Sequence, residues 1–231
     1  MTVWQSTAQH QPALSRPVLA ERLLPRTATR TGLTVLGAAA LIALAARVSI
    51  PIPGTPVPIT GQTFAVLLTA AALGPARGIA AQLVYILAGV VGMPVFAGAA
   101  HGTAVVFGAS GGYLVAYPLA ALIVGYFARR GADRSVLRTL AVYAVASAVI
   151  YAIGTLWLCV DTGMSASAGI AAGVTPFLPG DAVKALLAAG LLPAAWKLVG
   201  RSASTKAEAS TDRASTGRAS TASTASTSQD A

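Results

Sequence analysis

The stretch PFLPGDAVKALL, residues 176–187, places an acid and a base, Asp181 and Lys184, at the start of a long apolar run. In a membrane helix each ionisable side chain costs roughly 2.5–3.5 kcal/mol at mid-depth, so charges persist where they meet a partner, a cavity or a ligand. Residues three apart share one helix face with their β-carbons about 5–6 Å apart, so the carboxylate and the ammonium point into one place. Two chemistries fit that spacing. Either the pair neutralises itself and fixes helix packing, or it presents an acceptor and a donor to a small polar ligand.

Further polar groups fall on helical faces within apolar runs. Gln82, Tyr85 and Gly89 follow i, i+3, i+7 spacing, and Ser147, Tyr151 and Gly154 follow i, i+4, i+7, so two helices each carry a stripe of donors and small residues. Interhelical packing explains such stripes as well as a binding site does. Trp157 lies near the outer end of its run, where an aromatic belt residue is expected and where a pocket wall would also stand. Arg47 ends the first run; its guanidinium either snorkels to the headgroups or holds a ligand carboxylate at the outer mouth.

No catalytic signature accompanies these groups. There is no phosphate-binding glycine loop and no metal-ligand cluster. His10 and His101 have no evident partners, and Gly108, Gly111 and Gly112 do not follow a strand of an α/β unit. A chain without a nucleotide motif cannot itself use ATP.

The elements that must position these residues are membrane helices. Of 231 residues, 55% are hydrophobic and 10% charged, and the mean hydropathy is +0.69, which marks an integral membrane protein rather than a soluble globule. The net charge of +9 is dispersed over short loops and two tails, with no interleaved aromatics or groove-reading motif, which argues against nucleic acid. The single cysteine, Cys159, can form no internal disulfide and reads as packing.

Six apolar runs, over 31–50, 63–73, 78–91, 112–128, 137–159 and 181–199, predict an all-α fold, a compact bundle of six transmembrane helices with structured outer loops. Runs shorter than about 20 residues must borrow from loops or be shielded by neighbours. With a cytoplasmic N-terminus, the inner loops hold Arg77, Arg129, Arg130, Arg134 and Arg138, and the C-terminal end holds Lys197, Arg201 and Lys206, while the outer loops carry almost nothing basic. That bias places both termini in the cytoplasm and requires an even number of spans. The outer connections 51–60, 92–111 and 160–180 are rich in glycine and proline and read as lids over the bundle. Alanines at 38–40, 43, 45 and 46 let another helix approach the first one, from within the bundle or from a partner. Residues 1–30 read as a mobile basic cytoplasmic tail, 31–200 as the membrane domain, and 201–231 as a disordered, dispensable Ser/Thr/Ala-rich cytoplasmic tail.

Four segments, VPITGQTF (57–64), GMPVFAG (92–98), GASGGYL (108–114) and PFLPGDAVKA (176–185), occur in that order. Together they closely resemble the biotin-specific substrate-binding (S) components of energy-coupling factor transporters, the BioY family, over residues 30–199. The resemblance implies a compact six-helix protein of the cell membrane that captures biotin from outside. It also implies delivery together with a transmembrane T component and two cytoplasmic ATPases. In the family the acid and lysine of the last helix contact the vitamin, which carries over to Asp181 and Lys184. Gln82 is the nearest match to a polar contact on the third helix, a glutamine in place of the expected asparagine. The candidate ligand-binding set is therefore Asp181, Lys184, Gln82, Tyr85, Arg47, Tyr151 and Trp157, with no cofactor and with biotin as transported substrate. A carboxylate can accept from urea N–H groups, a lysine or arginine can meet a carbonyl or carboxylate, and aromatic walls suit an apolar body. A stand-alone secondary carrier for biotin or another small organic acid, and then a membrane enzyme, are the alternatives.

Overall fold

The computed structural model of the chain describes residues 16–23 and 27–200; the expected tail segments 1–15 and 201–231 lie outside the described residues. A short helix α1 (Leu19–Leu23) precedes α2 (Ala28–Arg47). Strands β1 (Ser49–Ile50) and β2 (Ile59–Thr60) pair antiparallel, Ser49 with Thr60 and Ile50 with Ile59. Helices α3 (Gln62–Leu73) and α4 (Pro75–Val90) form a tight hairpin, and α5 (Thr103–Phe107) leads into α6 (Gly111–Arg129). Helices α7 (Val136–Thr162), α8 (Ala166–Gly173) and α9 (178–200) complete the order.

Local chemistry sets the ends. The Thr27 side chain caps α2 by accepting from the Arg30 backbone N–H at 3.3 Å. The apolar run continues to Ile50, but Pro51 biases its predecessor toward extended backbone, and Ser49 and Ile50 join the strand pair instead. Helix α4 begins three residues earlier than its apolar run because Pro75 fits the first helical position, where no N–H is needed. Gly74, at φ 81°, makes the reversal before it.

Helix α6 is the axis of the bundle, packed against α3, α4 and α7. Glycines let its neighbours close in. A Cβ on Gly125 would stand 2.4 Å from the Pro75 nitrogen, one on Gly112 would be 2.3 Å from Trp157 Cβ, and one on Gly154 would be 2.5 Å from the Tyr113 ring. The α6–α7 seam thus interlocks through a glycine on each helix facing an aromatic of the other.

Leu44, Leu156, Val160 and Leu186 are exposed on the outer surface of the bundle, where lipid replaces water as solvent. Four segments are long and apolar enough to cross a membrane: Ala28–Ala46, Gly111–Arg129, Val136–Thr162 and Ala166–Gly200. The chain is a multi-pass membrane protein. Helices α3 and α4, with 12 and 16 residues, fall short of a full span, and α3 is buried along most of its length, so neighbouring helices shield it.

The two ends of the bundle differ. One gathers the long connections 51–60, 91–110 and 163–177; the other gathers arginines. At the arginine-rich end Glu21 meets Arg129 at 2.8 Å and Arg77 at 3.5 Å, Val18 is fully buried, and the Arg16 N–H donates to the Arg129 carbonyl. Here the structure departs from the expected mobile tail: over 16–23 an apolar residue to bury and an acid to pair among arginines dock the segment.

Candidate ligand-binding site

Asp181 and Lys184 lie in the first two turns of α9, which starts at residue 178, three residues before the acid. Pro179 is tolerated in that first turn, and an acid is favoured there by the positive end of the helix dipole. The i, i+3 spacing closes as an ion pair, Lys184 Nζ to Asp181 Oδ1 at 2.7 Å. Two other helices complete the cluster. The Thr63 hydroxyl of α3 donates to Asp181 Oδ1 at 3.2 Å and accepts from Lys184 Nζ at 2.9 Å, and the Tyr151 hydroxyl of α7 donates to Asp181 Oδ2 at 2.6 Å. An ionised carboxylate has about four acceptor positions and an ammonium three donors. One acceptor on Asp181 and one donor on Lys184 therefore remain for a ligand.

The cluster faces a cavity of about 230 Å³. Its walls come from all three long connections. The proline loop contributes Val57 and Pro58, the 91–110 connection Phe96 and Ala100, and the turn before α9 Phe177, while α6 lines the far side with Tyr113 and Tyr117. Phe177 sits between two tyrosines, with ring centroids 6.3 Å from Tyr113 and 6.4 Å from Tyr151. The Tyr113 hydroxyl donates to the Gly173 carbonyl at 2.7 Å, which fastens the end of α8 to α6. A mostly apolar chamber with one charged, hydrogen-bonded corner is the usual design of a small-molecule site.

The other candidates stand at different distances from this chamber. Tyr85 is buried behind the wall: the Gln62 amide donates to its hydroxyl, and its ring meets Phe96 edge-on at 5.6 Å. Gln82 is fully buried one turn further down α4, with neither amide atom hydrogen-bonded, and is absent from the lining. Arg47 points to the 91–110 connection and donates to the Pro94 carbonyl at 2.6 Å. Trp157 donates to the Gly108 carbonyl at 3.1 Å, tying α7 to the turn that starts α6. Asp181, Lys184 and Tyr151 come together in the chamber, whereas Tyr85 supports its wall and Gln82, Arg47 and Trp157 lie outside its lining.

Thr63, Gln62, Tyr113, Tyr117 and Phe177 also line the chamber. The motifs VPITGQTF, GASGGYL and PFLPGDAVKA contain all of these except Tyr117, but no spacing within the motifs marks which of their side chains face a cavity; Tyr117 looks like any apolar-run aromatic. Among the described residues no group of three or more His, Cys, Asp or Glu could hold a metal ion.

The sequence model of the BioY family matches residues 16–201. The chain belongs to the BioY family. Similar relatives include the biotin transporter BioY of Rhizobium etli, 33% identical over 68% of this chain and 87% of that protein. Another is the biotin transporter BioY2 of Lactococcus lactis subsp. cremoris, 38% identical over 67% of this chain and 83% of that protein. Both are named as transporters rather than enzymes. This BioY-family chain also has the fold of a solved S component for biotin from an ECF-type ABC transporter. The TM-score is 0.68 at 24% identity, over 74% of this chain and 95% of that one.

Proposed function

We propose that this chain is a membrane-embedded S component that captures biotin from outside the cell and hands it to an ATP-driven energy-coupling module. The observation that carries this reading is the convergence of Asp181, Lys184, Thr63 and Tyr151 on one corner of a largely apolar chamber. A ureido ring suits that corner: one of its N–H groups meets the remaining acceptor of Asp181 and its carbonyl the remaining donor of Lys184, while the aromatic walls take the apolar body. The names of the relatives support the choice of biotin among small polar ligands.

In this reading α2, α3, α4, α6, α7 and α9 are six spans of the cell membrane, with the loop-rich end outside and both termini in the cytoplasm. Arg77, Arg129, Arg130, Arg134 and Arg138 then lie inside, as the positive-inside bias demands. The likeness to an S component of an ECF-type ABC transporter supports a transmembrane T component and two cytoplasmic ATPases as the source of energy, in keeping with a chain that carries no nucleotide motif. No cofactor takes part; biotin is the substrate.

Titration of the detergent-purified protein with biotin and a panel of other vitamins tests the assignment. Saturable binding of biotin alone is expected, and tight binding of another vitamin with none of biotin overturns it. Uptake that persists without the ATPases but collapses with the proton gradient would make the chain a stand-alone secondary carrier.

A further inference from the structure

We propose that the arginine-rich end contains a binding site for a single water molecule, held by Asp133, Thr139 and Tyr143, which completes the anchorage of α9 there. Asp133 lies in the 3₁₀ turn Ala132–Arg134 that joins α6 to α7 and is 3% exposed. Its Oδ2 accepts from the Trp196 indole N–H of α9 at 2.5 Å, whereas its Oδ1 is buried with no protein partner. The Tyr143 hydroxyl of α7 is likewise buried and unpartnered. Arg134 does not fill the gap. Its guanidinium lies over the Trp196 ring at 4.1 Å and donates to the Pro17 carbonyl.

Asp133, Thr139 and Tyr143 line the same cavity of about 10 Å³, whose remaining walls are apolar, from Ala71 to Leu192. A water needs about 10–15 Å³ and two to four polar partners. Thr139 directs its hydroxyl hydrogen to the carbonyl of Ser135 or Ala132, which leaves its oxygen free to accept. One water can then donate to Asp133 Oδ1 and Thr139 Oγ1 and accept from the Tyr143 hydroxyl, which satisfies both orphaned groups. Burial holds the Asp133 carboxyl above its ordinary range, against the pull of the Trp196 hydrogen bond and the Arg134 charge, and a donating water adds to that pull. Asp133 thereby binds α9 at Trp196, about 22 Å along the helix from Asp181, so the ligand-bearing helix is fixed at both ends.

Crystal structures that resolve ordered water, together with the melting temperature of Tyr143→Phe, test the site. The wild type is expected to show one peak within about 2.6–3.2 Å of all three oxygens. Tyr143→Phe, which removes only the hydroxyl, is expected to melt about 2–4 °C lower because a bonded group is lost. If no water is bound, the hydroxyl is an unsatisfied buried group and Tyr143→Phe melts higher. A higher melting temperature, an absent peak, or a peak at the 2.3–2.6 Å of a metal ion overturns the proposal.

Discussion

Asp181 is held by three donors from three helices, and each can be removed separately. Asp181→Asn keeps the shape but replaces one acceptor oxygen with an N–H donor that opposes both the Tyr151 hydroxyl and a urea N–H. Biotin affinity should fall about ten- to hundredfold, equivalent to about 1–3 kcal/mol, as read by calorimetric titration. Tyr151→Phe removes the 2.6 Å bond to Oδ2 without changing the wall, and about a tenfold loss is expected in the same measurement. Asp181, Lys184 and Tyr151 were legible in the sequence because a polar group within an apolar run stands out. Thr63 was not, since its partner lies 118 residues away and no local spacing encodes that approach. Tyr113, Tyr117 and Phe177 were hidden for the opposite reason: an aromatic side chain in an apolar run looks the same whether it packs a core or walls a chamber.

Among the elements, the apolar runs located the principal helices, and errors fell where proline or a change of secondary structure sets the end. Helices α4 and α9 each start three residues before their runs because proline is accepted in a first turn, and α2 stops short because Ser49 and Ile50 turn to strand pairing. The short helices Thr103–Phe107 and Ala166–Gly173 carry too few turns for a periodic signal. Close packing between elements makes a sharper prediction. A Cβ on Gly89 of α4 would lie 2.0 Å from Phe96 Cζ, and Phe96 lines the chamber. Gly89→Ala should therefore push the 91–110 connection outward, leaving membrane insertion intact while lowering biotin affinity, which parallel expression and binding assays would separate.

For the whole molecule, the arginine-rich and loop-rich ends define an orientation that reporter fusions can read. Reporters after Arg201 and between Arg130 and Arg134 should both be cytoplasmic, and one between Ala99 and Gly102 exterior; cytoplasmic sites found on opposite sides of the membrane would change the number of spans. Composition made the membrane class legible, because it is a sum over many residues. The docking of residues 16–23 was not legible, since it depends on Glu21 reaching Arg129 across 108 positions. The central claim is that the Asp181–Lys184 pair recognises the ligand rather than merely neutralising itself. A self-neutralising pair can be replaced by apolar residues of similar size with no loss of stability. The decisive measurement is biotin binding to the purified double variant Asp181→Leu, Lys184→Met, compared with wild type after both are shown to insert and elute as folded protein. Loss of measurable biotin binding by a folded double variant is the predicted result; wild-type affinity in that variant would contradict the account and leave the pair a structural one.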